Sequence, residues 1–160
     1  MNAHSITPEN RRFALLAVVL LVLGGLHFVD HVVRGNIVVE HGLNPYWNHS
    51  GWPFLADVTP FTFSLIGVAG LLGFGLVGTL LGRLRAGYWL AFSLVLLGLL
   101  VFVHFVGPRA ELPRIIHATY VAAGEPSRAI FALLDLYSLF IVLAVMGGVR
   151  GRGAAADTRP

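Results

Sequence analysis

Two histidines, an aspartate and an arginine lie within eight residues of one another in the stretch LHFVDHVVRGN. On an α-helix, which turns by about 100° per residue, His27, Asp30, His31 and Arg34 share one stripe. From that stripe the imidazoles of His27 and His31 can both reach one metal ion. A carboxylate and a third histidine from other helices would complete a nitrogen and oxygen ligand set, which suits Zn, Fe, Ni or Cu(II).

Two further ionisable residues, His104 and Asp135, interrupt other apolar segments of the chain. Ionisable side chains inside a membrane usually face the bundle interior and one another. The sequence therefore predicts that His27, Asp30, His31, His104 and Asp135 converge on a site for a divalent transition metal. In an alternative arrangement, Asp30 or Asp135 does not bind the metal itself but accepts a hydrogen bond from a ligand imidazole and so fixes which ring nitrogen carries the proton. Haem b is an alternative cofactor, with His27 or His31 facing His104 across the bundle.

The same residues also have purely structural interpretations. Asp30 and Arg34 are four residues apart and could form a salt bridge at a helix end. His27 and Asp135 could form an interhelical hydrogen bond. Three histidines are interpreted as solvated side chains of loops or of a surface helix: His41, His49 and His117.

The elements that position these residues are predicted to be membrane helices. The chain has 160 residues, of which 56% are hydrophobic and 12% charged, whereas soluble domains carry about 25% charged residues. Four apolar segments reach the length of about 20 residues that a spanning helix needs. They cover 13–33, 60–82, 87–107 and 129–149. Helix is expected because backbone polar groups must find partners within lipid.

The distribution of arginines predicts the orientation of this all-α bundle of four transmembrane helices. Arginines flank the ends of the spans that lie on one side: Arg11, Arg12, Arg83, Arg85, Arg150, Arg152 and Arg159. The positive-inside rule places both termini in the cytoplasm, and a bacterial cytoplasmic membrane is the expected location of this multi-pass protein. Residues 1–12 would form an N-terminal tail, 13–149 the single transmembrane domain, and 150–160 a disordered tail. The candidate site then lies in the outer half of the bundle.

The two outer loops contain patterns of their own. The first is rich in aromatic residues typical of a membrane interface: Tyr46, Trp47, Trp52 and Phe54. The second contains LPRIIHATYVAAG, whose apolar residues share one side of a helix. Pro113 can open that helix and Gly124 can close it. A short amphipathic interfacial helix is therefore predicted in the second loop.

Composition limits the classes of function. The chain has no cysteine and two methionines, which argues against disulfides, iron–sulfur clusters and a thioether copper site. There is no nucleophile elbow, Walker loop or dinucleotide fingerprint, so no enzyme class is supported. The net charge of +3 comes mostly from flanks of apolar segments. That pattern indicates topology control and contact with lipid headgroups rather than with nucleic acid.

Metal or haem binding at the His/Asp cluster is the favoured function. The alternative is an accessory or structural membrane subunit, and proton or ion transport is disfavoured because Thr79 and Ser93 are the clear polar groups in the inner halves of the helices. The lipid bilayer is the expected partner. A second copy of the chain or another membrane subunit is a further candidate partner. Glycines on one face of the second span, including GTLLG, fit packing within the bundle or between copies.

Overall fold

A computed structural model describes residues 7–42, 60–84, 86–106 and 110–156. Those residues form helices and connecting turns without strands, which confirms the all-α class. In chain order the helices are α1 (Pro8–Glu40), α2 (Pro60–Leu80), α3 (Ala86–Val101, continued by a π-helical turn at Phe102–Val106), α4 (Pro113–Ala122) and α5 (Pro126–Ala156).

Three helical stretches are long and apolar enough to cross a membrane: Pro8–Val38, Gly87–Val106 and Pro126–Gly148. Their surfaces carry many exposed large apolar side chains, including Leu15 and Phe131, as expected of helices whose solvent is lipid. The protein is thus helical with membrane-protein character. A fourth span in α2 and the cytoplasmic location of both termini stay predictions.

Two helices are longer than the spans predicted from hydropathy. α1 runs without a break through Gly35 to Glu40, past the predicted end at residue 33. α5 continues beyond residue 149 to Ala156, into the segment for which a disordered tail is predicted. His41 follows α1 directly and is exposed, in line with its interpretation as a solvated residue.

α5 is the central element, and α1, α3 and α4 all pack against it. Two separate apolar cores hold the bundle together. One joins the start of α1 to the later half of α5, where Phe13 and Met146 are buried. The other joins the end of α1 to α4 and the start of α5, where Ile37 and Tyr120 are buried. α1 and α5 are therefore antiparallel.

α4 is the amphipathic helix predicted in the second loop. Pro113 occupies its first turn, where the missing amide hydrogen costs no helical bond. Gly124 follows its end at φ 76°, a left-handed conformation that glycine adopts without strain. Its buried side contains Ile116 and Tyr120 and packs on α1 and α5, and His117 faces out. Its location at a membrane interface stays a prediction.

The glycine face of α2 divides into two parts. A Cβ at Gly75 would lie 2.4 Å from the Tyr88 ring of α3, and one at Gly78 would lie 2.6 Å from Leu84. These two glycines permit close packing within the chain. A Cβ at Gly67 or Gly70 would meet nothing within 4 Å, so contact with another copy stays a prediction there. The aromatic residues of the first loop and His49 lie outside the described residues.

Candidate metal centre

Three histidines from two helices meet between the two apolar cores. α1 supplies His27 and His31, one helical turn apart, and the π-helical turn of α3 supplies His104. One ring nitrogen from each lies within 4.8 Å of the other two. The ring centroids are 4.6 Å apart for His27 and His31, 5.4 Å for His27 and His104, and 5.8 Å for His31 and His104.

His104 owes its position to the end of α3. The helix widens into a π-helical turn at Phe102–Val106, a local change that often occurs at functional sites. The Glu111 amide donates a hydrogen bond to the Val103 carbonyl within this turn at 2.9 Å. This contact places Glu111 beside His104, whose side chain is completely buried.

The Nδ1 atom of each ring faces an oxygen. His27 Nδ1 lies 3.2 Å from Asp135 Oδ2 on α5, and His104 Nδ1 lies 3.1 Å from the Glu111 carbonyl. His31 Nδ1 lies 3.6 Å from Glu111 Oε2, an electrostatic contact longer than a direct hydrogen bond. A carbonyl or carboxylate beside one ring nitrogen favours the tautomer with its proton on that nitrogen.

In that tautomer Nε2 carries the lone pair, which is the form in which it can bind a metal ion. His27 Nε2 and His31 Nε2 are 3.0 Å apart. This is a hydrogen-bond distance, so without a metal one of the two nitrogens carries the proton, and a bound metal ion would take the place of that proton. Two imidazole nitrogens on one tetrahedral Zn²⁺ are separated by about 3.4 Å, from Zn–N bonds of about 2.0–2.1 Å. His104 Nε2 is buried and accepts no hydrogen bond from the residues that the structure describes.

The two aspartates of the predicted set occupy different positions. Asp135 contacts the outer nitrogen of the His27 ring, as described, and is not part of the group of three converging ring nitrogens. Asp30 has other partners: Arg34 Nε donates to its Oδ2 at 2.6 Å, and the Tyr120 hydroxyl donates to its Oδ1 at 2.5 Å. Asp30 thus forms the salt bridge with Arg34 that its structural interpretation predicts.

A buried charge network connects the cluster to α4. The Arg34 guanidinium, 1% exposed, also donates to the Glu111 carboxylate, which is 3% exposed. Burial raises the pKa of Glu111 to about 8, against the lowering effect of Arg34. Burial and the adjacent Asp30 raise the pKa of Tyr120. Glu111 is the residue that sequence reasoning missed, since no periodicity links it to His104.

The arrangement offers three nitrogen donors whose outer faces are oriented by oxygen acceptors. Carboxylate–histidine–metal contacts of this kind fix ring orientation and increase the basicity of the ligand. No protein-family model, no curated protein and no solved structure matches this chain. The function is therefore argued from the geometry of the site.

Proposed function

We propose that this protein binds a divalent transition metal ion within its helical bundle, through the Nε2 atoms of His27, His31 and His104. The observation that carries the proposal is the convergence of one ring nitrogen from each histidine within 4.8 Å. The Nδ1 contacts of His27 and His104 support it, because they favour the tautomer in which Nε2 carries the lone pair. Asp135 and Glu111 are assigned as residues that orient the ligands.

The geometry favours a metal ion over haem. A haem held between two histidines must pass between their rings, with the macrocycle extending well beyond both. Here His31 lies beside the gap between His27 and His104, at centroid distances of 4.6 Å and 5.8 Å. The macrocycle would collide with that third ring. A single ion needs only the space at the centre of the cluster.

Transport receives no support from the other end of the bundle. Thr79 and Ser93 are both buried, and each is engaged locally. The Trp89 indole donates to the Thr79 hydroxyl at 2.6 Å, and the Ser93 hydroxyl donates to the Leu90 carbonyl at 3.0 Å. Neither forms a step of a polar path through the described residues, which is what an ion or a proton would need.

The test is metal analysis of the purified full-length protein in detergent, together with its absorption spectrum. The informative variant is His104→Ala, and the matched control is His117→Ala, because His117 is an exposed histidine on α4. We expect near-stoichiometric transition metal in the wild type and in the control. The His104 variant should lose at least nine-tenths of it, because one of three protein ligands is removed.

Three outcomes contradict the proposal. Equal metal content in the two variants would show that the metal is bound elsewhere. A Soret band would identify haem and overturn the single-ion assignment. A colourless, metal-free wild-type protein that also fails to take up added Co²⁺ or Zn²⁺ would favour the accessory-subunit alternative.

A further inference from the structure

A cavity of about 340 Å³ extends from the three histidines into the middle of the bundle. α1, α2, α3 and α5 all contribute to its wall. Along α1 the wall runs from His31 down to Leu20, a distance of about 16 Å at 1.5 Å per residue. This volume exceeds what a metal ion and a few waters of about 30 Å³ each would fill. It lies in the range of small-molecule sites, about 300–1,000 Å³.

The polar groups of this cavity are confined to one end. His27, His31 and His104 form that end, and every other side chain that lines the cavity is apolar or is the hydrogen of Gly24. A ligand with polar groups at both ends would bury one of them among leucines without a hydrogen bond, which costs about 1–3 kcal/mol. The shape and lining therefore match a molecule with one polar head and one hydrocarbon chain.

The open coordination position at the histidine end selects the head. Three imidazoles coordinate as neutral ligands, and among the described residues Asp135 and Glu111 are the acidic side chains beside these rings, while Arg34 pairs with both Glu111 and Asp30. A tetrahedral ion with three protein ligands keeps one open position. A carboxylate fills that position and adds one negative charge.

We propose that the cavity binds a medium-chain fatty acid, with its chain among the leucines and its carboxylate on the metal held by the three histidines. The headgroup contact rests on the proposed metal site. Access is from the bilayer, because Leu99 lines the cavity and is itself 49% exposed on the surface of an apolar helix. Fatty acids already partition into that environment.

The experiment uses the full-length protein in phosphatidylcholine nanodiscs, loaded with Co²⁺ as a spectroscopic probe. Gly24→Leu is designed to fill the cavity, since Gly24 lines it and a Cβ there would meet nothing within 4 Å. Gly25→Leu is the matched control: the neighbouring residue also has free space, is exposed, and does not line the cavity. Binding of radiolabelled laurate and the visible Co²⁺ spectrum are measured for the wild type, for both glycine variants and for His104→Ala, with methyl laurate as the ligand control.

We expect saturable laurate binding and a changed Co²⁺ spectrum for the wild type and for Gly25→Leu. Gly24→Leu should bind laurate at least tenfold more weakly and keep its Co²⁺. Methyl laurate, which has the same chain without the anionic head, should bind the wild type at least tenfold more weakly and leave the spectrum unchanged.

Each failure has a distinct signature. Cobalt that depends on His104 but does not respond to laurate overturns the fatty-acid inference and leaves the metal site standing. Equal laurate binding by the Gly24 and Gly25 variants also overturns the inference, because the cavity is then not the binding place. Absence of His104-dependent cobalt overturns the metal site, and the proposed headgroup contact with it.

Discussion

Replacing Asp135 with asparagine removes a charge behind His27 and keeps the size of the side chain. Asp135 Oδ2 lies 3.2 Å from His27 Nδ1, and the two side chains are 11% and 13% exposed, so water screens the contact poorly. Loss of such an orienting contact typically weakens metal binding by about 10–100-fold. Because 3.2 Å is at the long end of the hydrogen-bond range, we expect about tenfold, or about 1.4 kcal/mol.

The assay is competition for Zn²⁺ between the purified protein and a chromophoric chelator, at fixed pH and ionic strength. The matched control is Asp30→Asn, which removes the same charge three residues from His27 on the same helix. Asp30 interacts with Arg34 and Tyr120 rather than with a ligand ring, so its replacement should change affinity by less than about threefold. Equal losses for the two variants, or no loss for Asp135→Asn, would refute the assignment of Asp135 as an orienting residue.

Three further predictions concern stability, measured by thermal or denaturant unfolding of the purified protein. Arg34→Met should cost about 1–3 kcal/mol, because it leaves the buried carboxyl group of Glu111 without its donor; adding Glu111→Gln should recover part of this, and no recovery would contradict the pairing. Gly75→Ala should lower the free energy of unfolding by about 1–3 kcal/mol, because the added methyl group collides with an aromatic ring of α3. Gly70→Ala, where a methyl group meets nothing, should leave it unchanged, and equal effects of the two variants would argue against this packing. Chelation should destabilise the metal-loaded protein by about 2.7 kcal/mol if free metal had been present at about 100 times Kd, and an unchanged melting temperature would count against the site.

Local periodicity accounts for the part of the site that sequence could predict. His27 and His31 are four residues apart, so a continuous helix places them on one face whatever surrounds it. Counting turns from the predicted helix ends puts His27 and Asp135 at similar depths, and in the structure they are in contact. α4 was predictable for the same reason, since its caps and its apolar side lie within one short segment.

The remaining features depend on the path of the chain between helices. Glu111 lies beside the histidines because its amide donates to the Val103 carbonyl at the end of α3, and hydropathy contains no information on that contact. Asp30 shares the stripe of His27 and His31, yet Arg34 and Tyr120 engage its carboxylate. Tyr120 is distant in sequence, so the sequence of α1 alone could not show whether Asp30 contacts the histidines or a side chain of α4.

The cavity also has a mechanical consequence. α1 and α3 both pack on α5, and the cavity occupies the space between them. Helices in lipid gain no hydrophobic free energy from association, so at the depth of the cavity little holds the two helices at a set spacing, although Phe13 and Trp89 stack between them elsewhere. An ion bound by His27 and His31 on one side and by His104 on the other would act as a removable crosslink between α1 and α3. Its arrival and departure would then set how far the two helices can move apart and how wide the opening at Leu99 becomes.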